Sequence, residues 1–258
     1  MNNIFSIARL GQLTKRHLIL NYNRMFLEVT GSIGLLSVIG AISFRQASFP
    51  NNALFLFFFY AILFVGGFIL TSNIFHELHK PEKSIQYMTL PASNLEKLIS
   101  AWLNSSVLIL ALSLVVYYAS FILAKLLALW WFDIEMPIFN IFVFFKKVCI
   151  AYISIHSLFF FGAVYFKGKN FFKTLFSVFL LVLFFSIYHS IIGATATKEI
   201  ITLVMEENTV NPGEIITAPG LKEYVEGTLF PILKIIFRYI LPIFFIVLSY
   251  IGLKEREV

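Results

Sequence analysis

Long apolar stretches dominate this chain and constrain its fold more than any other feature. A helix that crosses about 30 Å of hydrocarbon needs about 20 mostly apolar residues. Six stretches of roughly that length occur, at residues 25–43, 54–74, 99–123, 148–166, 175–193 and 232–253. The sequence therefore predicts an all-α polytopic membrane protein with six transmembrane helices. The ends of the fourth and sixth spans are the least sharply defined, because lysines or arginines interrupt their apolar residues.

The composition agrees with a membrane protein. Of the 258 residues, 59% are hydrophobic and 13% are charged, whereas ordinary soluble domains are about 45–50% apolar and about 25% charged. The single cysteine, Cys149, excludes an internal disulfide framework. The net charge of +6 comes from basic residues spread between the apolar runs. We therefore interpret it through membrane topology, expect the lipid bilayer as a partner, and expect no nucleic-acid partner.

The distribution of lysine and arginine predicts the orientation. Cytoplasmic loops of membrane proteins carry an excess of these residues. With the N-terminus inside, the cytoplasmic segments are 1–24, 75–98, 167–173 and 254–258, and they hold 12 of the 20 basic residues. Both termini are then expected in the cytoplasm, with segment 194–231 on the opposite side.

Residues 1–24 are too polar to span a bilayer. They mix apolar residues such as Ile7 and Leu10 with Arg9, Lys15 and Arg16. This pattern predicts an amphipathic interfacial helix on the inner membrane surface, with a disordered cytoplasmic tail as the alternative. The domain organisation expected from sequence is this N-terminal helix, a transmembrane domain at 25–253 and a short tail at 254–258.

Segment 75–98 is a long polar interruption between the second and third spans. Pro81 and Pro91 each tend to end a preceding helix, which leaves room for a short helix over residues 82–89. Ser93 and Glu96 fit the Ser-x-x-Glu capping box that starts a helix. One interpretation is a plain connection between spans, although such connections usually take about 2–8 residues. The other is a docking surface for a cytoplasmic partner.

The stretch TLPASNLEKLISAWL, with Glu77 upstream, resembles the first cytoplasmic loop of permease subunits of type-2 ABC transporters. The six spans, the N-terminal interfacial helix and the basic fourth-to-fifth loop agree with the same family plan. The resemblance implies that segment 75–98 is a coupling loop whose short helix docks on a separate ABC ATP-binding subunit. It implies a multi-pass permease, an exporter in the bacterial cytoplasmic (inner) membrane, paired with a second permease copy or a paralogue.

The resemblance also implies particular docking residues. Gln86 and Tyr87 are expected to face the ATPase, and the basic loop 167–173 is expected to make a second contact. The full set implied for docking is Lys83, Ser84, Gln86, Tyr87, Leu90, Pro91, Ser93, Glu96, Lys97 and Lys169. The chain has no Walker A pattern, so on this hypothesis ATP and Mg²⁺ bind the partner subunit. The chain itself is expected to bind no cofactor and to perform no catalysis.

Three ionisable residues lie within the predicted spans. Glu28 is near the start of the first span, where it can carry out a function or simply pair with Arg24. His156 and His189 lie in the fourth and fifth spans. If the two helices are neighbours, the histidines could form a proton relay or bind a cofactor; otherwise each hydrogen-bonds a neighbouring helix. The sequence HELH at 76–79 is not a zinc motif, since zinc chemistry needs three or more placed ligands, so no metal site is expected.

Other function classes remain open from sequence. A self-sufficient secondary transporter would need paired intramembrane ions or broken helices in two repeated halves, and neither stands out. A membrane-embedded enzyme would need acids or histidines clustered at one interface. A non-catalytic membrane scaffold is the remaining alternative.

Overall fold

The computed structural model of the protein describes residues 5–46, 53–134, 142–207 and 230–255, and in these ranges all regular secondary structure is helical. The α-helices are α1 (Ile7–Gln46), α2 (Ala53–Ala61), α3 (Gly67–Ser72), α4 (Pro81–Met88), α5 (Asn94–Trp102), α6 (Leu108–Phe132), α7 (Phe142–Tyr165), α8 (Asn170–Glu207), α9 (Phe230–Ile235) and α10 (Leu241–Glu255). π-Helical turns at Ile62–Gly66, Leu103–Val107 and Ile236–Ile240 join α2 to α3, α5 to α6 and α9 to α10.

The described residues form six helices that are long and apolar enough to cross a membrane. They are Ile7–Ser43, Leu54–Ser72, Asn94–Phe132, Phe145–Tyr165, Asn170–Tyr188 and Pro231–Glu255. The prediction of an all-α chain with six candidate spans is confirmed. Each predicted apolar stretch overlaps one of these helices, and most of the helices begin before it.

The N-terminal region differs from the sequence-based prediction. Residues 7–24 do not form a separate interfacial helix, because α1 runs unbroken from Ile7 to Gln46. At 1.5 Å per residue its 40 residues span about 60 Å, roughly twice the hydrocarbon thickness. Arg9 and Thr14 near its start contact Glu96 and Ser100 of α5, and its second half packs against α6 through Leu36 and Gly40. These tertiary contacts, with no proline in the stretch to break the helix, account for its continuity.

Aromatic residues form much of the core. Phe55, Phe59, Tyr117 and Phe121 join α2 to α6, and their ring centroids lie 5.2–6.2 Å apart. A second cluster joins segment 75–98 to α7 and α10, with Phe75, Tyr87, Phe160 and Leu253 buried in it. The polar segment is therefore packed onto the helices and does not hang free.

The fifth helix contributes little to this core. From Leu175 to Tyr188, α8 is exposed along almost its whole surface, and in a membrane lipid can cover apolar surface of this kind. α8 continues to Glu207, into the segment 194–231 that was expected to lie outside the membrane. Residues 208–229 of that segment lie outside the described part of the chain.

Candidate functional site

Segment 75–98 has the local structure that its sequence predicts. A 3₁₀ turn at His76–His79 leads into α4, which begins with Pro81 in its first turn, where a missing N–H costs nothing. α5 begins after Ser93, whose Oγ accepts the N–H of Glu96, while the Glu96 carboxylate accepts the N–H of Ser93 at 2.8 Å. The predicted short helix and the capping box are both confirmed.

Glu96 also ties this segment to the start of α1. Its side chain is fully buried, and its Oε1 accepts bonds from Arg9 Nε at 3.1 Å and from Arg9 Nη2 at 2.9 Å. The backbone N–H of Ser6 donates to the same oxygen. Burying a carboxylate is costly unless it is paired and hydrogen-bonded. These donors satisfy that requirement and connect the start of α5 to the start of α1.

A second ion pair joins the same two parts of the chain. Arg16 donates from Nη1 to Glu77 Oε2 at 2.8 Å and from Nη2 to Glu77 Oε1 at 3.2 Å. This parallel, two-bond geometry is the strongest arrangement of an arginine and a carboxylate. Arg9 and Arg16 are seven residues apart, about two helical turns, so α1 presents both to the segment from one face.

The Arg16–Glu77 ion pair is expected to contribute modestly to the stability of the fold. The two side chains are 31% and 22% exposed, so solvent screens part of their attraction. We expect a double-mutant cycle of Arg16→Ala and Glu77→Ala to give a coupling energy of about 1 kcal/mol. Thermal unfolding in detergent of the wild type, both single variants and the double variant measures it. Additive effects of the two substitutions would contradict the interaction.

Lys97 holds the end of α4. Its Nζ donates to the carbonyl of Met88 at 3.0 Å and lies 5.8 Å from the centroid of the Tyr87 ring. Tyr87 and Lys97 are both 2% exposed. Burial raises the pKa of the Tyr87 hydroxyl above its ordinary value, so that hydroxyl stays protonated at neutral pH. The lysine satisfies a carbonyl that the helix end leaves without a partner.

The opposite face of α4 is exposed. Glu82, Lys83, Ile85 and Gln86 are exposed there, and Ile85, at 68%, stands out as an apolar side chain among polar neighbours. Pro91, in the turn that follows, is also exposed, and Ser84, Leu90 and Ser93 are half-buried.

The structure therefore divides the docking residues that the resemblance implies. Lys83, Gln86 and Pro91 are available to a partner. Tyr87, Glu96 and Lys97 are buried in this chain's own core, so the expectation that Tyr87 faces a partner is corrected. Its side chain points inward because Phe75 and Phe160 supply an apolar pocket on that side of α4.

The basic loop 167–173 lies at the same end of the helices as segment 75–98. His79 Nε2 is 2.7 Å from the carbonyl oxygen of Ala163, and Asn170 Nδ2 donates to the carbonyl of Ser72 at 3.2 Å. Gly168 and Lys169 both have positive φ, at 66° and 51°, and make the sharp turn between α7 and α8. Lys169 is exposed, so the two regions implied in docking are neighbours.

His156 belongs to a buried polar cluster between α7 and the π-helical turn Leu103–Val107. Its Nε2 lies 2.9 Å from Ser105 Oγ, and the Tyr152 hydroxyl donates to the Ser105 carbonyl at 3.2 Å. Both of these partners of Ser105 come from α7, and they tie that helix to the π-helical turn. His156 thus hydrogen-bonds a neighbouring helix, the simpler of the two roles that the sequence allowed.

The other two ionisable residues predicted to lie in spans are Glu28 and His189. Glu28 accepts a bond from Arg24 Nε at 3.0 Å, one helical turn away, which is the pairing the sequence suggested. The side chain of His189 lies outside the described residues. Where the structure is described, no three His, Cys, Asp or Glu side chains are grouped so that they could hold a metal ion.

Sequence reasoning missed Arg9, Arg16 and Ser105 as parts of the site. The spacing of the two arginines along one helical face was a usable signal, given the glutamates Glu77, Glu82 and Glu96 in segment 75–98. Ser105 carried no such signal, because its partners Tyr152 and His156 lie on another helix, 47 and 51 positions away.

Comparisons of the chain with protein-family models, with curated proteins and with solved structures find no match. The six helices long and apolar enough to cross a membrane are consistent with a multi-pass membrane protein.

Proposed function

We propose that the chain is the transmembrane permease subunit of an ATP-driven ABC transporter, moved by a separate ATPase subunit. The observation that carries the proposal is the two-sided character of α4. Its inner face is fixed to the helices through Tyr87 and Lys97, while its outer face presents Ile85 with Lys83 and Gln86 exposed around it. A short helix that is fixed on one face and open on the other can dock in a groove of a partner, as in helix-in-groove complexes, with Ile85 as its apolar contact.

The contacts of segment 75–98 provide a route for mechanical coupling. The Glu96–Arg9 and Glu77–Arg16 pairs connect it to α1, and Tyr87 shares a buried cluster with Phe160 of α7. A displacement of α4 by a closing ATPase dimer would move α1 and the α5–α6 helix with it. ATP binding would then favour one of two helix packings, as in other ligand-driven switches.

The remaining parts of the proposal rest on the resemblance of segment 75–98 to permease loops and on the distribution of basic residues. ATP and Mg²⁺ bind the partner subunit, and this chain binds neither. A second copy of the chain, or a paralogue, completes the transport path. The proposed location is the bacterial cytoplasmic membrane with both termini inside, and the proposed direction is export.

Ile85→Asp is expected to separate the chain from its ATPase. Burying an isoleucine is worth about 1.5–3 kcal/mol, which corresponds to roughly a tenfold to hundredfold change in affinity. Affinity-tagged chain is purified from native membranes in mild detergent, and co-purifying proteins are identified by mass spectrometry. We expect a Walker-motif ATPase with the wild type, and at least tenfold less of it with the variant.

Ile7→Asp is the matched control, because Ile7 is also an exposed isoleucine, at 78%, and lies outside α4. It should retain the ATPase. If the wild type brings down no such ATPase, the proposed function is wrong. If Ile85→Asp retains it fully, the ATPase binds elsewhere and α4 is not the docking surface.

A further inference from the structure

A cavity of about 240 Å³ lies between α1, the α2–α3 helix and α6. Its walls are mainly apolar and include Phe59, Leu63, Leu70 and Ile109. Glu28 of α1 is the one charged residue among its lining side chains. The volume is slightly below the range of about 300–1,000 Å³ typical of small-molecule sites, so the cavity suits a slender apolar group better than a bulky ligand.

A smaller polar cavity adjoins it at the end nearest segment 75–98. This second cavity, about 40 Å³, shares three lining residues with the first, Met25, Leu70 and Ile109. Its other lining residues include the polar side chains of His17, Asn21, Arg24, Asn73 and Asn104. The two cavities together form a cleft that is polar at one end and apolar along its length.

Arg24 and Glu28 put one positive and one negative charge where the two ends meet. Arg24 Nε donates to Glu28 Oε1 at 3.0 Å, and the side chains are 46% and 39% exposed. This bond uses Nε, and within the described residues no hydrogen bond is found for the two terminal nitrogens of Arg24. These nitrogens can bind a phosphate, which arginine recognises through two parallel bonds. The second oxygen of Glu28 can accept from an ammonium group.

We infer that this cleft binds a zwitterionic phospholipid of the phosphoethanolamine type, with one acyl chain in the apolar cavity. Its phosphate lies on Arg24 and its ammonium group on Glu28. Along α1, the cavity runs from Met25 to Ser32, about 10 Å at 1.5 Å per residue, which accommodates the upper part of one chain. The inference rests on the membrane-spanning fold and not on coupling to an ATPase.

Charge complementarity selects this headgroup over the alternatives. An anionic headgroup without an amine would pair with Arg24 but would leave the second Glu28 oxygen without a cation. A cationic amphiphile without a phosphate would pair with Glu28 but would leave the terminal Arg24 nitrogens without an anion. A headgroup that carries both charges pairs with both residues, and like-charge contacts are avoided.

Gly66→Leu tests the apolar half of the site. Gly66 lines the cavity, a Cβ built there meets no atom within 4 Å, and its backbone is helical at φ −61°, so the side chain can enter the cavity without strain. The matched control is Gly31→Leu, since Gly31 also has open space around its Cβ and does not line the cavity. Both variants should unfold at the wild-type temperature or above.

The measurement is native mass spectrometry of delipidated protein in detergent, titrated with phosphatidylethanolamine or phosphatidylglycerol that carry the same acyl chains. We expect one bound phosphatidylethanolamine, with affinity at least fivefold higher than for phosphatidylglycerol. Gly66→Leu should lower that affinity at least tenfold, and Gly31→Leu should leave it unchanged.

The double variant Arg24→Gln with Glu28→Gln tests the charged half. It removes both charges, with Glu28 keeping its size and Arg24 becoming shorter, and should reduce the preference between the two lipids to below twofold. Three results would overturn the inference. The first is equal binding of phosphatidylethanolamine to the wild type and to Gly66→Leu, which would indicate annular lipid only. The second is tighter binding of phosphatidylglycerol than of phosphatidylethanolamine to the wild type. The third is an unchanged preference between the two lipids in the double variant. Each can occur whether or not an ATPase co-purifies, so failure here is distinct from failure of the proposed function.

Discussion

Replacing Glu96 by alanine is expected to lower the free energy of unfolding by about 3 kcal/mol, at the lower end of the cost of breaking a buried ion pair. The substitution removes the acceptor for Arg9, for the Ser6 N–H and for the Ser93 N–H at once. Arg9 is 36% exposed and can turn toward water, which keeps the loss at that lower end. The contact between α1 and α5 should loosen along with the start of α5.

Cys149 offers a direct measurement, because it is the only cysteine in the chain and is partly buried. A thiol-reactive dye that fluoresces on labelling then follows thermal unfolding in detergent. Two further variants separate the contributions. Arg9→Met leaves the buried Glu96 carboxylate without its counter-charge and should cost at least as much as Glu96→Ala. Glu96→Gln carries no charge, keeps an acceptor oxygen and should cost less. An unfolding temperature of Glu96→Ala equal to that of the wild type would show that this carboxylate does not hold the two helices together.

Gly67→Ala is expected to destabilise the protein by about 2 kcal/mol, within the range for overpacking a core. A Cβ at this position would lie 2.6 Å from the Tyr152 hydroxyl oxygen and 2.9 Å from its ring carbon Cε2. The ring cannot easily move, because it is fully buried, stacks on Phe68 and bonds the Ser105 carbonyl. The expected consequence is separation of α3 from α7 and a disturbed His156–Ser105 contact.

The adjacent glycine supplies the control for this prediction. Gly66→Ala makes the same chemical change in the same helix, with no atom within 4 Å of the new Cβ. It should be neutral or slightly stabilising, because alanine loses less backbone freedom than glycine in a helix. The same thiol-labelling assay measures both variants. Equal unfolding temperatures for the two would contradict the close contact of Gly67 with Tyr152.

Local sequence patterns predicted what local physics controls. The six apolar stretches each became a helix of membrane-crossing length, because their apolar content alone is sufficient for that outcome. Ser93 and Glu96 formed the capping box because its two hydrogen bonds lie within four consecutive residues. Pro81 began α4 for an equally local reason.

Orientation of side chains within segment 75–98 was not predictable in the same way. Gln86 and Tyr87 are neighbours in sequence, yet one is exposed and the other buried. Which of them turns inward depends on where Phe75 and Phe160 lie in three dimensions. The continuity of α1 through residue 24 has a similar origin, since Glu96 and Glu77 bind its first half from more than 60 positions away.

The sequence by itself thus determined that the chain is an all-α protein with six helices able to cross a membrane. It also determined where α4 and α5 begin within segment 75–98. Those features depend on the hydrophobicity of continuous stretches and on contacts between residues close in the chain. The tertiary structure decided which charged groups of that segment are buried as ion pairs, which face of α4 is free, and that Arg24 and Glu28 lie beside an apolar cavity. Those features depend on which helices become neighbours, and a pattern within one helix carries no record of its neighbours.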